Sequence, residues 1–288
     1  MKKFIKRLIM ALAISVCIYS SLHLASIILE YQKIDKMDRD LIKKVVSNSS
    51  NKALTRKINW TLLSSINPDV IGWIYIPGTR IDYPIMKSDE TYPYLKLNYM
   101  KQKSISGSIF TDFRNGSEFK DSNTIIYGHN MKNGSMFSDL RNFVDQKYMD
   151  NHINVYIYLP DGTVNVYRCF SCLYTKATSQ IYQTSVNYQK YVPYVINGAM
   201  AKENVDTVKK APLVTLSTCT MAHSEKRTVV FSRYITKYIP ASVRKKQEAA
   251  KEAAKKKRTL LALQKAKAKQ AQKNSAQTSS TSTRKNTR

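Results

Sequence analysis

The chain of 288 residues contains four cysteines, at 17, 169, 172 and 219, and four histidines, at 23, 129, 152 and 223. A thiol enzyme needs a thiolate and a group that hands a proton to the departing fragment, and a cysteine paired with a histidine is the usual solution. Elimination narrows both sets. Cys17 and His23 fall in a long apolar run near the N-terminus, His152 in the polar turn Asp150-Asn151-His152, and His223 in the polar segment from Thr220 to Lys226. His129 ends the apolar run NTIIYG at 123–128, and Cys219 ends the run APLVTLST. Both are expected at strand ends, where side chains are placed more accurately than on loops. A structural cysteine belongs inside an apolar strand, whereas Cys219 is followed by polar residues, as suits a partly exposed, reactive thiol. Arg227 opens the next strand-like run eight residues later. A returning turn would bring its guanidinium beside the thiol, a fixed charge able to favour the thiolate and to hold an oxyanion. Arg233 shares that face by period two but stands ~20 Å farther along, at ~3.3 Å per residue. The plainer readings are a histidine that only hydrogen-bonds and an arginine that is an edge-strand surface charge.

Cys169 and Cys172 form a C-F-S-C motif, which invites a redox or metal reading. The motif sits within the strand-like run TVNVYRCFSCLY at 163–174. There i and i+3 are expected on opposite faces, whereas a redox pair normally opens a helix. No second CxxC or CxxH completes a zinc site, and neither a P-loop nor GxGxxG is present. The expectation is therefore no metal and no cofactor.

These residues need a frame to position them. From Val70 onward the chain alternates short β-branched and aromatic runs with turn residues, at 70–76, 81–86, 106–110, 123–128, 154–159, 163–174, 212–217 and 227–235. Pro77-Gly78 and Asp161-Gly162 are strong turn signals, the second placed as in a hairpin. Residues 134–149 and about 183–203 read as helices, the second long enough for ~4 or 5 turns at 3.6 residues each. A mostly β domain of this kind points to a closed or nearly closed barrel.

The formal charge of +27 is concentrated at the ends: residues 1–7 hold four basic and no acidic side chains, and residues 241–288 hold 15 basic and 2 acidic. What remains carries no concentrated patch that would demand nucleic acid. From Leu8 to Leu29 there are 22 residues without charge, and as a helix they would span ~33 Å, enough for the ~30 Å hydrocarbon core. This is too long for the apolar region of a cleaved signal peptide. Basic residues crowd one flank, and the positive-inside rule then leaves residues 1–7 in the cytoplasm and the rest outside. Residues 30–66 read as a helical extension, 67–240 as the barrel, and 241–288 as a Lys/Ala-rich tail, helical and frayed, then disordered. Its functional reading is attraction to anionic wall polymers or lipid headgroups.

With His129, Cys219 and Arg227 in place, the surrounding residues resemble the sortases, cysteine transpeptidases of the Gram-positive cell surface, specifically class B. TLSTC at 215–219 matches the family's TLxTC motif and NTIIYGHN at 123–130 its histidine segment; VIGWIYIPGTRIDYPIM at 70–86 and GSIFTDFRN at 107–115 resemble class B members. The resemblance covers roughly residues 35–240. It implies a closed eight-stranded β-barrel with N-terminal helices and a helical insertion between strands six and seven. It also implies catalytic roles for His129, Cys219 and Arg227, with Ser217 and Tyr127 as substrate contacts. The implied reaction cleaves an LPxTG- or NPxTN-like motif of a secreted protein and joins it to an amine of a peptidoglycan precursor or a pilin lysine. The Cys-to-Arg loop is a little short for class B, and the tail is not part of the family pattern. Two other readings stay open: a papain-like cysteine hydrolase, although its order of Cys and His is the reverse, and a tethered wall-binding module.

Overall fold

The computed structural model describes residues 2–47, 53–219 and 226–283. Eight strands carry the fold: β1 (Val70–Tyr75), β2 (Asp82–Met86), β3 (Ile109–Thr111), β4 (Asn123–His129), β5 (Asn154–Tyr158), β6 (Val164–Lys176), β7 (Leu213–Cys219) and β8 (Lys226–Tyr238). They pair in the order β8-β7-β4-β3-β2-β1-β5-β6, and β6 pairs again with β8, which closes the barrel. The β4–β7 and β2–β3 pairs are parallel and the others antiparallel, so the barrel is mixed. A two-residue strand, Ala201–Lys202, lies on β6 beyond the reach of β5.

Alternation along the strands produces the core. Ile74, Ile85, Ile126, Val155, Ile157, Val214, Leu216 and Val230 form one fully buried cluster, each side chain removed from water contributing about 1.5–3 kcal/mol before the entropy of ordering is counted. The opposite face of β6, β7 and β8 packs, through Phe170, Leu213 and Phe231, on the helix at residues 188–197. The turns fall where the sequence put them: Gly78 and Gly162 take φ of 77° and 79°, a region open to glycine at no steric cost.

Helix α1 (Lys2–Val45) is one continuous 44-residue helix, so the apolar run and the first part of the extension are not separate elements. No residue of its apolar stretch is buried, and the helix is long enough to cross a membrane. Ile34, Leu41 and Val45 beyond it are buried. Helix α2 (Trp60–Ile66) follows, capped by the Asn59 side chain, which accepts from Leu62 N.

Both helical insertions are shorter than expected. Residues 134–149 contain a 3-10 segment, Ser138–Val144, and then α3 (Gln146–Asn151). Gly134 and Met136 have φ of 80° and 59°, which no right-handed helix accommodates. In the second insertion only α4 (Tyr188–Asn197) is helical. Asn123 binds the Gln183 and Thr184 carbonyls before it, and residues 201–202 join β6 after it. Residues 239–288 form a separate unit. There α5 (Ala241–Thr283) continues as helix through much of the Ser/Thr/Gln-rich end, farther than the expected frayed helix, as the strong helix formers at its start allow.

The opposite-face expectation for Cys169 and Cys172 is corrected. The β6–β8 register jumps between Phe231–Ser171 and Ser232–Cys169, leaving Phe170 as an extra residue. This bulge resets the alternation, so both cysteines join the barrel core, fully buried, while Phe170 and Leu173 face α4. Both are free thiols, and among the described residues no cluster could hold a metal ion.

Candidate active site

Parallel pairing of β4 with β7 runs in unbroken register from Leu213–Asn123 to Cys219–His129. The two apolar runs that end in His129 and Cys219 are therefore neighbours, and the two residues stand side by side on the backbone at the same end. The hydroxyl of Thr215 donates to Asn123 Oδ1 at 2.7 Å and fastens the register from within. Residues 220–225, His223 among them, lie outside the described residues, as does the Cys219 side chain.

Strand β8 returns antiparallel to β7 and brings Arg227 to this end. Arg227 Nη1 donates to the Thr218 carbonyl at 3.0 Å, so the guanidinium is fixed on the peptide unit that joins Thr218 to Cys219. Thr228 N donates to Thr218 Oγ1 at 3.1 Å, holding the strands together there. His129 is half-buried. Burial lowers its pKa below the ordinary histidine value, contact with the Leu95 main chain opposes this, and the positive Arg227 lowers it further. Its Nδ1 is buried and has no hydrogen-bond partner among the described residues.

The sign of the Arg227 effect is testable. In Arg227→Gln a repelling charge is gone, the imidazolium is less disfavoured, and the His129 midpoint should rise while staying below the ordinary value because burial remains. An NMR titration of the ring protons reads it. A midpoint that does not move would separate Arg227 from the histidine.

A cavity of about 280 Å³ opens beside these residues, with Tyr92, Leu95, Tyr127, Ala177, Tyr182 and Arg227 in its walls. Tyr127 thus faces the cavity, stacked on Tyr182 with centroids 6.2 Å apart. Ser217 is buried and its Oγ lies 2.9 Å from the Tyr182 hydroxyl; it meets the cavity through that tyrosine. Asp112 and Arg114 also line the cavity. Sequence reasoning gave them no role, since they fall in GSIFTDFRN with nothing local to tie them to His129. The other described histidines are elsewhere: His152 closes α3, its Nδ1 2.7 Å from the Tyr148 carbonyl and its ring stacked on Tyr148, and His23 is on the apolar stretch of α1.

The family model of the Sortase domain matches residues 74–235. The chain belongs to the sortase family. Sortase B of Listeria monocytogenes is 38% identical over 182 residues, 61% of this chain and 73% of that protein. The Staphylococcus aureus sortase B-substrate complex is 30% identical, with a TM-score of 0.57 over 62% of this chain and 84% of that one. A Streptococcus pyogenes class B sortase involved in pilus biogenesis is 26% identical, with a TM-score of 0.58 over 62% of this chain and 98% of that one. Within the family these relatives place the chain in class B, as a sortase transpeptidase with a closed eight-stranded barrel.

Proposed function

We propose that this sortase is held in the cell membrane by residues 8–29 and, on the outer side, cleaves an LPxTG- or NPxTN-like sorting motif of secreted proteins. In this reading Cys219 attacks the Thr carbonyl, and Arg227 holds the oxyanion or the peptide backbone. His129 protonates the departing amine as the C–N bond breaks, leaving a thioacyl-enzyme. An amine of a peptidoglycan precursor then attacks the thioester and gives its proton to His129; the C–S bond breaks, a new amide bond remains, and Cys219 leaves as the thiolate, which His129 reprotonates. The observation that carries the reading is the register pairing of Cys219 with His129 beside an arginine fixed on the Thr218 carbonyl. A lowered His129 pKa favours a neutral imidazole at neutral pH, able to take the thiol proton and pass it to the departing amine.

A pilin lysine is the second acceptor considered, favoured by the likeness to a class B sortase involved in pilus biogenesis. Mass spectrometry of the domain with a sorting peptide and an amine separates the readings. A transpeptidation product supports this one, a hydrolysis product alone supports a cysteine hydrolase, and no product supports a tethered binding module.

The anchor reading places residues 1–7 in the cytoplasm and the barrel, residues 67–240, outside. Only Glu30 separates the apolar run from Tyr31, which already packs on the barrel core. At ~1.5 Å per residue the barrel then sits within a few ångströms of the lipid headgroups. The basic tail, residues 241–288, would add attraction to anionic wall polymer or headgroups, screened over ~10 Å at 0.1 M salt. Deleting residues 242–288 should leave turnover of a short neutral peptide unchanged and weaken salt-sensitive retention on anionic liposomes or isolated walls. Equal retention at low salt would remove the electrostatic role; lost turnover would give the tail a part in the barrel.

A further inference from the structure

The Asp112 side chain is almost wholly buried, 1% exposed, and it gathers donors from three directions. Arg114 gives Nε and Nη2 to its two oxygens at 2.7 and 2.8 Å, and its own N–H to Oδ1 at 3.1 Å. The hydroxyls of Tyr127 and Tyr92 donate to Oδ2 at 2.9 and 3.3 Å. Burial by itself would raise the carboxyl's pKa, but these bonds prevail and hold it below the ordinary value. It is an ionised acceptor at the back of the cavity.

Each donor belongs to a different part of the cavity wall. Tyr92 is a bulky residue in the left-handed region, φ 50° and ψ 52°, immediately before the 3-10 turn Pro93–Leu95. Such a conformation persists only where the surroundings impose it. Here the bond to Asp112 and edge-on packing against Phe113 and Tyr127 do so. The turn then presents Leu95 to both the cavity and the His129 ring. On the other side, Arg114 Nη2 also donates to the Tyr182 carbonyl at 3.0 Å. Tyr182 belongs to the segment between β6 and α4 that forms the facing wall. Other bonds from the barrel reach that segment at Gln183 and Thr184.

We infer that Asp112 is a positioning residue of the transpeptidase, fixing both walls of the peptide cavity at once: the Tyr92–Leu95 turn directly, and the Tyr182 segment through Arg114. Asparagine in its place keeps one acceptor oxygen but turns an NH2 group toward donors. Both walls then loosen, while the strand pairing of β4 with β7 has no part in the change.

The inference rests on the sortase reading for its activity test, but not for its structural one. In Asp112→Asn, amides of residues 92–97 and 179–184 should exchange with deuterium faster while those of β4 stay protected. Arg114→Gln should loosen only the second segment and Tyr92→Phe only the first, and both serve if Asp112→Asn does not fold. With a sorting peptide, KM should rise about tenfold or more with kcat reduced far less, as expected when binding geometry and not chemistry is lost. Alkylation of Cys219 by iodoacetamide should proceed near the wild-type rate. Unchanged exchange in all three folded variants would overturn the inference. So would a fall in kcat and in alkylation as large as the rise in KM, which would mean general destabilisation. If exchange changes as stated but the wild-type protein turns over no sorting peptide, the positioning stands and the substrate reading falls.

Discussion

Cys219→Ala is expected to abolish acyl transfer, a loss on the order of a million-fold in kcat, comparable to removal of the nucleophile from a protease triad. The fold should survive, because Cys219 is the last residue of β7 and the register with β4 is set by six pairs before it. Circular dichroism and thermal melting close to wild type would establish that. Cys169→Ala and Cys172→Ala are the controls. Both thiols are fully buried in the barrel core, and burial pushes the Cys169 thiol up to about 12 and Cys172 up as well. Neither can supply a thiolate at neutral pH. Their removal should cost on the order of 1 kcal/mol of stability through a small cavity, with turnover retained. Substantial product from Cys219→Ala, together with its loss in Cys172→Ala, would reassign the nucleophile.

Arg227→Lys is expected to cost about 2–4 kcal/mol of transition-state stabilisation, by comparison with other oxyanion donors, or roughly 30- to 1,000-fold in kcat/KM. The charge is kept, so any role as a bare cation would be kept too. What is lost is the planar fork. In the structure Nη1 is committed to the Thr218 carbonyl at 3.0 Å, and among the described residues the other terminal nitrogen has no acceptor, so it can be offered to an oxyanion or a substrate carbonyl. An ammonium on a flexible stem has no such fixed second donor. Near-wild-type kcat/KM would reduce Arg227 to a surface charge and send the search for oxyanion donors elsewhere.

Much of this frame is legible along the chain. All eight strand-like runs become strands, because each apolar run is bounded by turn residues whose backbone demands are local. The adjacency of His129 and Cys219 follows less directly: both end apolar runs, but only a parallel β4–β7 pairing makes them neighbours, and pairing is a property of the whole barrel. Local rules failed where tertiary contacts override them. The bulge at Phe170 reversed the facing of Cys172 relative to Cys169. Left-handed backbone at Gly134 and Met136 broke a helical pattern. Asp112 and Arg114 were silent for the same reason, since only the β3–β4 pairing brings Asp112 to Tyr127 and only the packing of the segment after β6 brings Tyr182 to Arg114.

If acyl transfer passes through a thioester on Cys219, that species can be captured. The direct measurement is intact-mass spectrometry of the protein mixed with a sorting peptide and no amine acceptor, followed by proteolytic mapping. The expected result is an added mass equal to the peptide fragment ending at Thr, located on the peptide that contains Cys219. Hydroxylamine should release it as the hydroxamate and restore the free thiol. No adduct under turnover conditions, or an adduct on any other residue, would contradict it.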